Sequence, residues 1–504
     1  MSAPTPGQFP DSSPVDDKRP PFADMDVESF RHYGHAMIDW IATYLGDVER
    51  YPVLSQVKPG EVRAQFSQQA PEEPGSMDAL LQQVQTAVLP GITHWNSPNF
   101  FAYFGASSSG PGILGELLTA ALNTNGMLWK TSPAATEVEE LTLDWLRQML
   151  GLPDGFHGII TDTASMSSLL SIAVAREALN LDIRQQGMAG RSDVPRLRLY
   201  ASEEAHSSIE KGAMALGLGQ QGLRKIPTNA EYQMDDAALA AAIAEDSAAG
   251  WRPFYVAATI GTTSTTSIDP VPAIAAICRR FGLWLHIDGA YGGVAAIVPE
   301  FRHVLAGCED ADSIVVNPHK WLFTPIDCSA FYVRRPDLLR RAFSLVPDYL
   351  VTDEAEVTNY MDWGVQLGRR FRALKLWMVI SYFGHRQLAN AIAGHIRLGQ
   401  QFADWVDASP RFERLAPAPF STVCFRAHPQ GIDDEAELAA LNTGLMEAVN
   451  ASGAAYLSHT KLRGVFALRL AIGNLRTTYR HVNQVWELLQ TALDGLLPPV
   501  PPTV

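Results

Sequence analysis

The chain has 504 residues, 47% of them hydrophobic, and a formal net charge of −15. That length exceeds what one hydrophobic core sustains, so two or three domains are expected. An acidic balance without a dense basic run argues against nucleic acid or an anionic membrane as a partner.

In chain order, residues 1–25 carry six prolines (Pro4, Pro6, Pro10, Pro14, Pro20 and Pro21) among few large apolar groups, which predicts a disordered tail. Nothing there resembles a secretory signal. Residues 26–94 read as a helical arm. Phe30, Met37, Ile38, Ile41 and Leu45 share one face of a helix over Glu28–Leu45, and a second helix is expected over Met77–Leu89. The arm is suited to packing on a partner chain.

Residues 95–373 alternate short β-like runs with helical ones. Ser132-Pro133 opens a helix that Gly151 closes. Strands are expected at Gly158–Thr161, Leu197–Ala201, Phe254–Ile260, Leu283–Asp288, Ser313–Val316 and Ala330–Val333, with helices such as Ser165–Leu179 and Pro272–Phe281 between them. This alternation predicts an α/β domain with a mostly parallel, doubly wound sheet, whose ligands sit beyond the carboxyl ends of the strands. Residues 374–495 change to helices (Leu374–Phe383, Glu435–Asn450, Val482–Leu493) with strands at Thr422–Arg426 and Val465–Ile472, the pattern of a small α+β domain; residues 496–504 form a second Pro-rich tail. The four cysteines (Cys278, Cys308, Cys328, Cys424) have neither CxxC spacing nor metal-type pairing with His, which fits a reducing, cytoplasmic compartment. No apolar run is long enough to span a membrane.

Five segments carry chemistry. Thr161-Asp162-Thr163-Ala164-Ser165 joins a strand to a helix, so its hydroxyls and free N–H groups suit a phosphate, although ordinary N-capping uses the same residues. Neither GxGxxG nor GxxxxGK[ST] stands in this strand-to-helix segment, which removes the main support for a dinucleotide or P-loop reading there. His206 opens another helix, and its flat ring could stack on an aromatic cofactor. Thr259-Ile260-Gly261-Thr262-Thr263-Ser264 offers polar groups after a strand, or simply a Thr-rich turn. Asp288, in His286-Ile287-Asp288-Gly289-Ala290-Tyr291, and Lys320, in Asn317-Pro318-His319-Lys320-Trp321, each follow an apolar strand. An aldehyde cofactor with a ring nitrogen requires that pair: an amine to form a Schiff base and an acid to keep the ring protonated.

Together with Tyr103-Phe104, Ser132-Pro133-Ala134, Ala205-His206-Ser207-Ser208, Gly261-Thr262-Thr263 and Leu367-Gly368-Arg369-Arg370-Phe371-Arg372, these runs resemble the group II pyridoxal-phosphate (PLP) decarboxylases of fold type I, in the aromatic-L-amino-acid decarboxylase branch. The likeness covers roughly residues 25–495. Trp321 points to the aromatic branch, since glutamate decarboxylases of the group typically have Met there. The resemblance implies that Lys320 carries the cofactor, Asp288 pairs with its ring nitrogen and His206 stacks on the ring. It places Thr163, Ala164, Ser165 and Asn317 at the phosphate with His319 nearby, and Thr263 and Ala290 along the other edges. It also implies a homodimer whose active sites draw on both chains.

Pro347-Asp348-Tyr349-Leu350-Val351 resembles the family's mobile loop, whose tyrosine protonates Cα. Related aldehyde synthases typically have Phe at the Tyr349 place or Asn at the His206 place; this chain keeps both residues, which favours an amine product. Trp95, Tyr103, Phe104, Met127, Trp129 and Gly368 are the substrate-pocket candidates. Gly105-Ala106 replaces the Pro-Thr of animal relatives, Asn125 and Met127 stand where those carry Ile and Phe, and Gly368 leaves room for an indole. Tryptophan, tyrosine, phenylalanine and L-DOPA are the candidate substrates. The alternatives are decarboxylation-dependent oxidative deamination to an aldehyde, transamination, and, from another class, a nicotinamide oxidoreductase. Arg469 sits where transaminases of this fold bind a carboxylate and reads here as structural, because a decarboxylase must release that group.

Overall fold

The computed structural model describes residues 24–345 and 357–497. Tyr349 and nearly all of both Pro-rich tails lie outside those residues. The chain divides into two compact units, one of residues up to 50 with 57–91, the other of 51–56 with 92 onward.

In the first unit, the helix Val27–Gly46 starts at Asp26, whose carboxylate accepts from the N–H groups of Glu28 (3.0 Å) and Ser29 (2.9 Å). None of its residues is buried, and Phe30, Met37 and Ile38 are exposed. The helix expected over Met77–Leu89 is regular only for Met77–Gln83. It widens into a π turn at Val84–Val88 and tightens at Leu89–Gly91, where Pro90 cannot continue a helical ladder.

The second unit is built on a seven-stranded sheet: β1 (His157–Thr161), β2 (Arg196–Ser202), β3 (Leu223–Ile226), β4 (Trp251–Thr259), β5 (Trp284–Asp288), β6 (Ser313–Val316) and β7 (Ser329–Val333), in the order β1-β7-β6-β5-β4-β2-β3. Strands β6, β5, β4, β2 and β3 run parallel, and β7 is antiparallel to both its neighbours. Every residue of β5, β6 and β7 is buried, as in a sheet covered by helices on both faces. This explains why those strands read as continuous apolar runs. Ser132 caps its helix through Ala135 N, and Gly151, at φ 70°, ends it.

The second sheet, wholly antiparallel, contains β8 (Phe412–Arg414), β9 (Thr422–Ala427), β10 (Ser458–Leu462) and β11 (Val465–Ala471) in the order β10-β11-β9-β8. The helices Glu435–Ala451 and Tyr479–Leu496 share its core through Val449, Leu470 and Leu489. The helix Ala373–Ala408 contributes Leu376 and Ile392 to the core around the large sheet and Phe402 and Val406 to that of the small one. Among the described residues, no helix is long and apolar enough to cross a membrane.

Candidate active site

Parallel pairing brings the carboxyl ends of the central strands to one edge. Thr259, last in β4, is the register partner of Asp288, last in β5. The turns that follow supply the walls of a cavity of about 380 Å³, lined among others by Thr163, Ala164, Ser165, His206, Thr263, Asp288, Ala290, Asn317, His319 and Lys320. Close backbone approach permits this convergence. At Gly261, φ +89°, a Cβ would lie 2.9 Å from Gly292 N.

Lys320 lies on the one-turn helix Pro318–Trp321, with Nζ 5.2 Å from the centroid of Phe104. Burial lowers the pKa of its amine, and the charge of Asp288 opposes that shift in part. Asp288 is buried and accepts from Ala290 N at 3.1 Å. His206 accepts from Ser208 N at Nδ1 (3.2 Å), which assigns its proton to Nε2. Desolvation lowers its pKa, against the pull of Asp288. His319 is pushed down to about 4, chiefly by burial, and its Nδ1 accepts from Cys328 N at 2.9 Å, so the ring is neutral. Asn317 accepts from Ser329 Oγ at 2.7 Å through Oδ1, which turns its amide N–H groups elsewhere.

This donor set fits PLP. The helix Ala164–Glu177 begins at the cavity, and the N–H groups of Ala164 and Ser165 precede its first hydrogen bonds, which run from Met166 and Ser167 to Thr163 O. They can hold a phosphate, with Asn317 and neutral His319 beside it. The buried hydroxyl of Thr259 has no hydrogen-bond partner. Asp288 can supply the acid for a ring nitrogen and Lys320 the amine for an aldehyde.

Of the expected substrate residues, Trp95, Tyr103 and Phe104 line the cavity, with Ala106, Tyr291 and Ile326. Tyr103 has φ 51°, unusual for an aromatic residue, and is held by Ser458 Oγ on its N–H (3.1 Å) and Tyr456 on its hydroxyl (3.2 Å). Gly105 has a backbone reason to be glycine: a Cβ there would lie 2.9 Å from the Gly473 carbonyl carbon. Met127, Trp129 and Gly368 lie away from this cavity. Met127 packs with Leu128 and Met361, Trp129 donates to Glu137 (2.8 Å), and Gly368 faces Asn125.

Arg469 combines a structural task with a place in the cavity lining. It donates from Nε to Ser264 O (2.8 Å) and from Nη1 to Ser458 Oγ (3.2 Å), while Nη2 is buried without a hydrogen-bond partner. Its position inside an apolar strand run gave no sign of that spare donor.

Residues 59–428 match the pyridoxal-dependent decarboxylase conserved domain. The chain is 42% identical to tyrosine decarboxylase 4 of Petroselinum crispum, over 95% of this chain and 96% of that one. It is 39% identical to phenylacetaldehyde synthase of Petunia hybrida, over 94% and 96%. The crystal structure of Oryza sativa TDC with PLP and tryptamine superposes with a TM-score of 0.91 at 39% identity, covering 95% of this chain and 100% of that one. The chain therefore belongs to the group II PLP-dependent decarboxylases of fold type I, as a carboxy-lyase of the aromatic-L-amino-acid decarboxylase type.

Proposed function

We propose that the protein converts aromatic L-amino acids to the corresponding amines and carbon dioxide, with tryptophan, tyrosine, phenylalanine and L-DOPA as candidate substrates. The carrying observation is that Lys320, Asp288 and His206 converge on a cavity whose lining includes Trp95, Tyr103 and Phe104. Bound PLP supplies an aldehyde for the amine and a protonated ring that accepts the electron pair left at Cα when carbon dioxide departs. Lys320 anchors the cofactor, its amine shifted toward the neutral, nucleophilic form by burial. The Asp288 carboxylate holds the proton on the ring nitrogen. His206, uncharged, offers a flat face to the ring. The first-turn N–H groups at Ala164 and Ser165, with Asn317, hold the phosphate.

Apart from Lys320, which anchors the cofactor, Arg469 is the basic side chain of the cavity's described lining that carries a full charge, and its Nη2 is the unpaired donor for the substrate's α-carboxylate. The aromatic wall binds the side chain and excludes water. Tyr349, outside the described residues, is the proposed proton donor to Cα. The protein acts as a homodimer: the surface formed by Met127, Trp129 and Gly368 completes the partner's pocket, and the uncovered apolar face of Val27–Gly46 supplies further contact area. Its four cysteines, all free and buried, accord with a cytoplasmic setting.

The Petunia relative favours a second reading, oxidative deamination, in which dioxygen and water are consumed and aldehyde, ammonia and peroxide accompany the carbon dioxide. Incubating the PLP-loaded protein separately with each aromatic amino acid decides between them. Amine equal to carbon dioxide is the expected result. Stoichiometric ammonia and peroxide establish the aldehyde route, and no carbon dioxide from any of them overturns both.

A further inference from the structure

The residue after the cofactor lysine leads away from the cavity and then back to it. Trp321 is wholly buried and donates its indole N–H to Nδ1 of His395 at 3.0 Å, the two rings lying within 4° of parallel. His395 projects from the long helix Ala373–Ala408, with 4% of its surface exposed. Since Nδ1 accepts, its other nitrogen carries the proton and is turned toward the backbone of Asn474. Asn474 is buried and donates from Nδ2 to the carbonyls of Trp95 (3.0 Å) and Ser97 (2.9 Å). Trp95 stacks on Tyr103 at 6.0 Å between centroids, and both line the cavity.

A second path runs through ring faces. Trp321 stacks on Tyr291 (4.7 Å, 8°), Tyr291 on Phe104 (3.9 Å, 13°), and Phe104 lies under the Lys320 amine. Both paths start at Trp321 and end in the cavity, one at the lysine and one at the aromatic wall. We propose that His395 is a positioning residue for the decarboxylation: by accepting from Trp321, with its protonated side turned toward Asn474, it holds the ring stack that aims Lys320 and orders the segment that carries Trp95 and Tyr103.

Any acceptor would satisfy a buried indole N–H, so stability alone does not call for histidine. What the imidazole adds is an acceptor and a donor on opposite sides of one rigid ring, which joins two segments far apart in sequence. Burial holds its pKa down to about 4, so the accepting nitrogen stays unprotonated at neutral pH. The Gln side chain also offers an acceptor and a donor, whereas Leu offers neither.

The proposal rests on the decarboxylase reading, and one experiment separates the two. The PLP-loaded wild type, His395→Gln, His395→Leu, Trp321→Phe and the Trp321→Phe/His395→Leu double variant are compared in kcat, KM, thermal midpoint and visible circular dichroism of the bound cofactor. His395→Leu and Trp321→Phe are expected to lower kcat by ~10-fold, the order of effect of one buried hydrogen bond, and to raise KM and alter the dichroism. The double variant should be no worse than the more impaired single one, because both break the same link. His395→Gln should stay within about 3-fold of wild type. A His395→Leu protein that melts earlier but keeps kcat, KM and dichroism overturns the proposal, as does a Gln variant as impaired as the Leu one. Should His395→Leu fail to fold, Trp321→Phe and His395→Gln decide by the same criteria. A wild type that releases no carbon dioxide refutes the function instead.

Discussion

Glu139 and Arg369 form a buried ion pair, Oε1 to Nη2 at 2.7 Å, that clasps Ile160 by both backbone groups. Glu139 accepts from Ile160 N at 2.8 Å and Arg369 donates to Ile160 O at 2.9 Å. Ile160 is the penultimate residue of β1, so the pair fixes the strand that leads to Thr163, Ala164 and Ser165, the proposed phosphate site. Arg369→Met should destabilise the protein by about 3–5 kcal/mol, because Glu139 is left buried and unpaired. Urea unfolding measures that loss. The double variant Glu139→Gln/Arg369→Met should recover a large part of it, and a double variant as unstable as Arg369→Met would show that the unpaired charge is not the cause.

A pH dependence follows from His286, on β5 two residues before Asp288. Its Nδ1 meets Ser313 Oγ at 2.9 Å, its Nε2 is buried without a partner, and burial pushes its pKa down from 6.5 to about 4. Between those values the unfolded chain binds a proton that the folded protein refuses, so stability is full above 6.5 and falls as pH drops toward 4. Asp269, raised to about 6 by burial, acts in the opposite sense over part of the window, so a difference measurement is needed. Going from about pH 7.5 to about pH 5, wild type should lose ~2 kcal/mol more than His286→Gln in urea unfolding. Parallel losses would mean that His286 titrates normally.

Lys320 and Asp288 should fail differently. Lys320→Ala should abolish turnover and leave no cofactor covalently retained after borohydride treatment. Asp288→Asn should keep that retention while kcat falls about 10- to 100-fold, the worth of a hydrogen bond to a charged group. Residual wild-type turnover in Lys320→Ala would sink the mechanism; an Asp288→Asn protein with unchanged kcat would remove the acid from its role.

Tyr349→Phe tests the proton donor that the sequence motif suggests. Without its hydroxyl, Cα protonation should slow, and aldehyde with ammonia should rise relative to amine, read by mass spectrometry of the products. An unchanged amine yield would assign the proton to another group.

Local signals made most of this site legible. Strand, turn and motif coincide at Thr161–Ser165, Asp288 and Lys320, where backbone geometry and chemistry are set by neighbours in sequence. Edges were harder: β3 carries Arg224 and Lys225, and β10 carries His459 and Lys461, polar residues that suit strands at a sheet edge and hide the β pattern. Gly384, non-helical at φ 68°, interrupts the helix Ala373–Ala408 and obscured its continuation past Phe383. His395 sits beyond that break, and its bond to Trp321 spans 74 residues, a pairing that no local pattern encodes.

Arg469 carries the last expectation, which follows from the fate of the substrate's charge. The α-carboxylate is anionic on binding and leaves as neutral carbon dioxide, so the proposed bond to Arg469 Nη2 would stabilise the bound substrate more than the transition state. Arg469→Gln should therefore raise KM by about 10- to 100-fold with a smaller change in kcat. The product amine has no carboxylate, so its inhibition constant should stay within about 3-fold of wild type, whereas a variant whose wall had merely loosened would lose both ligands together. Arg469→Lys, which keeps the charge but not the fork, should recover part of the KM. Equal losses for substrate and amine would make Arg469 only the tie between Ser264 and Ser458.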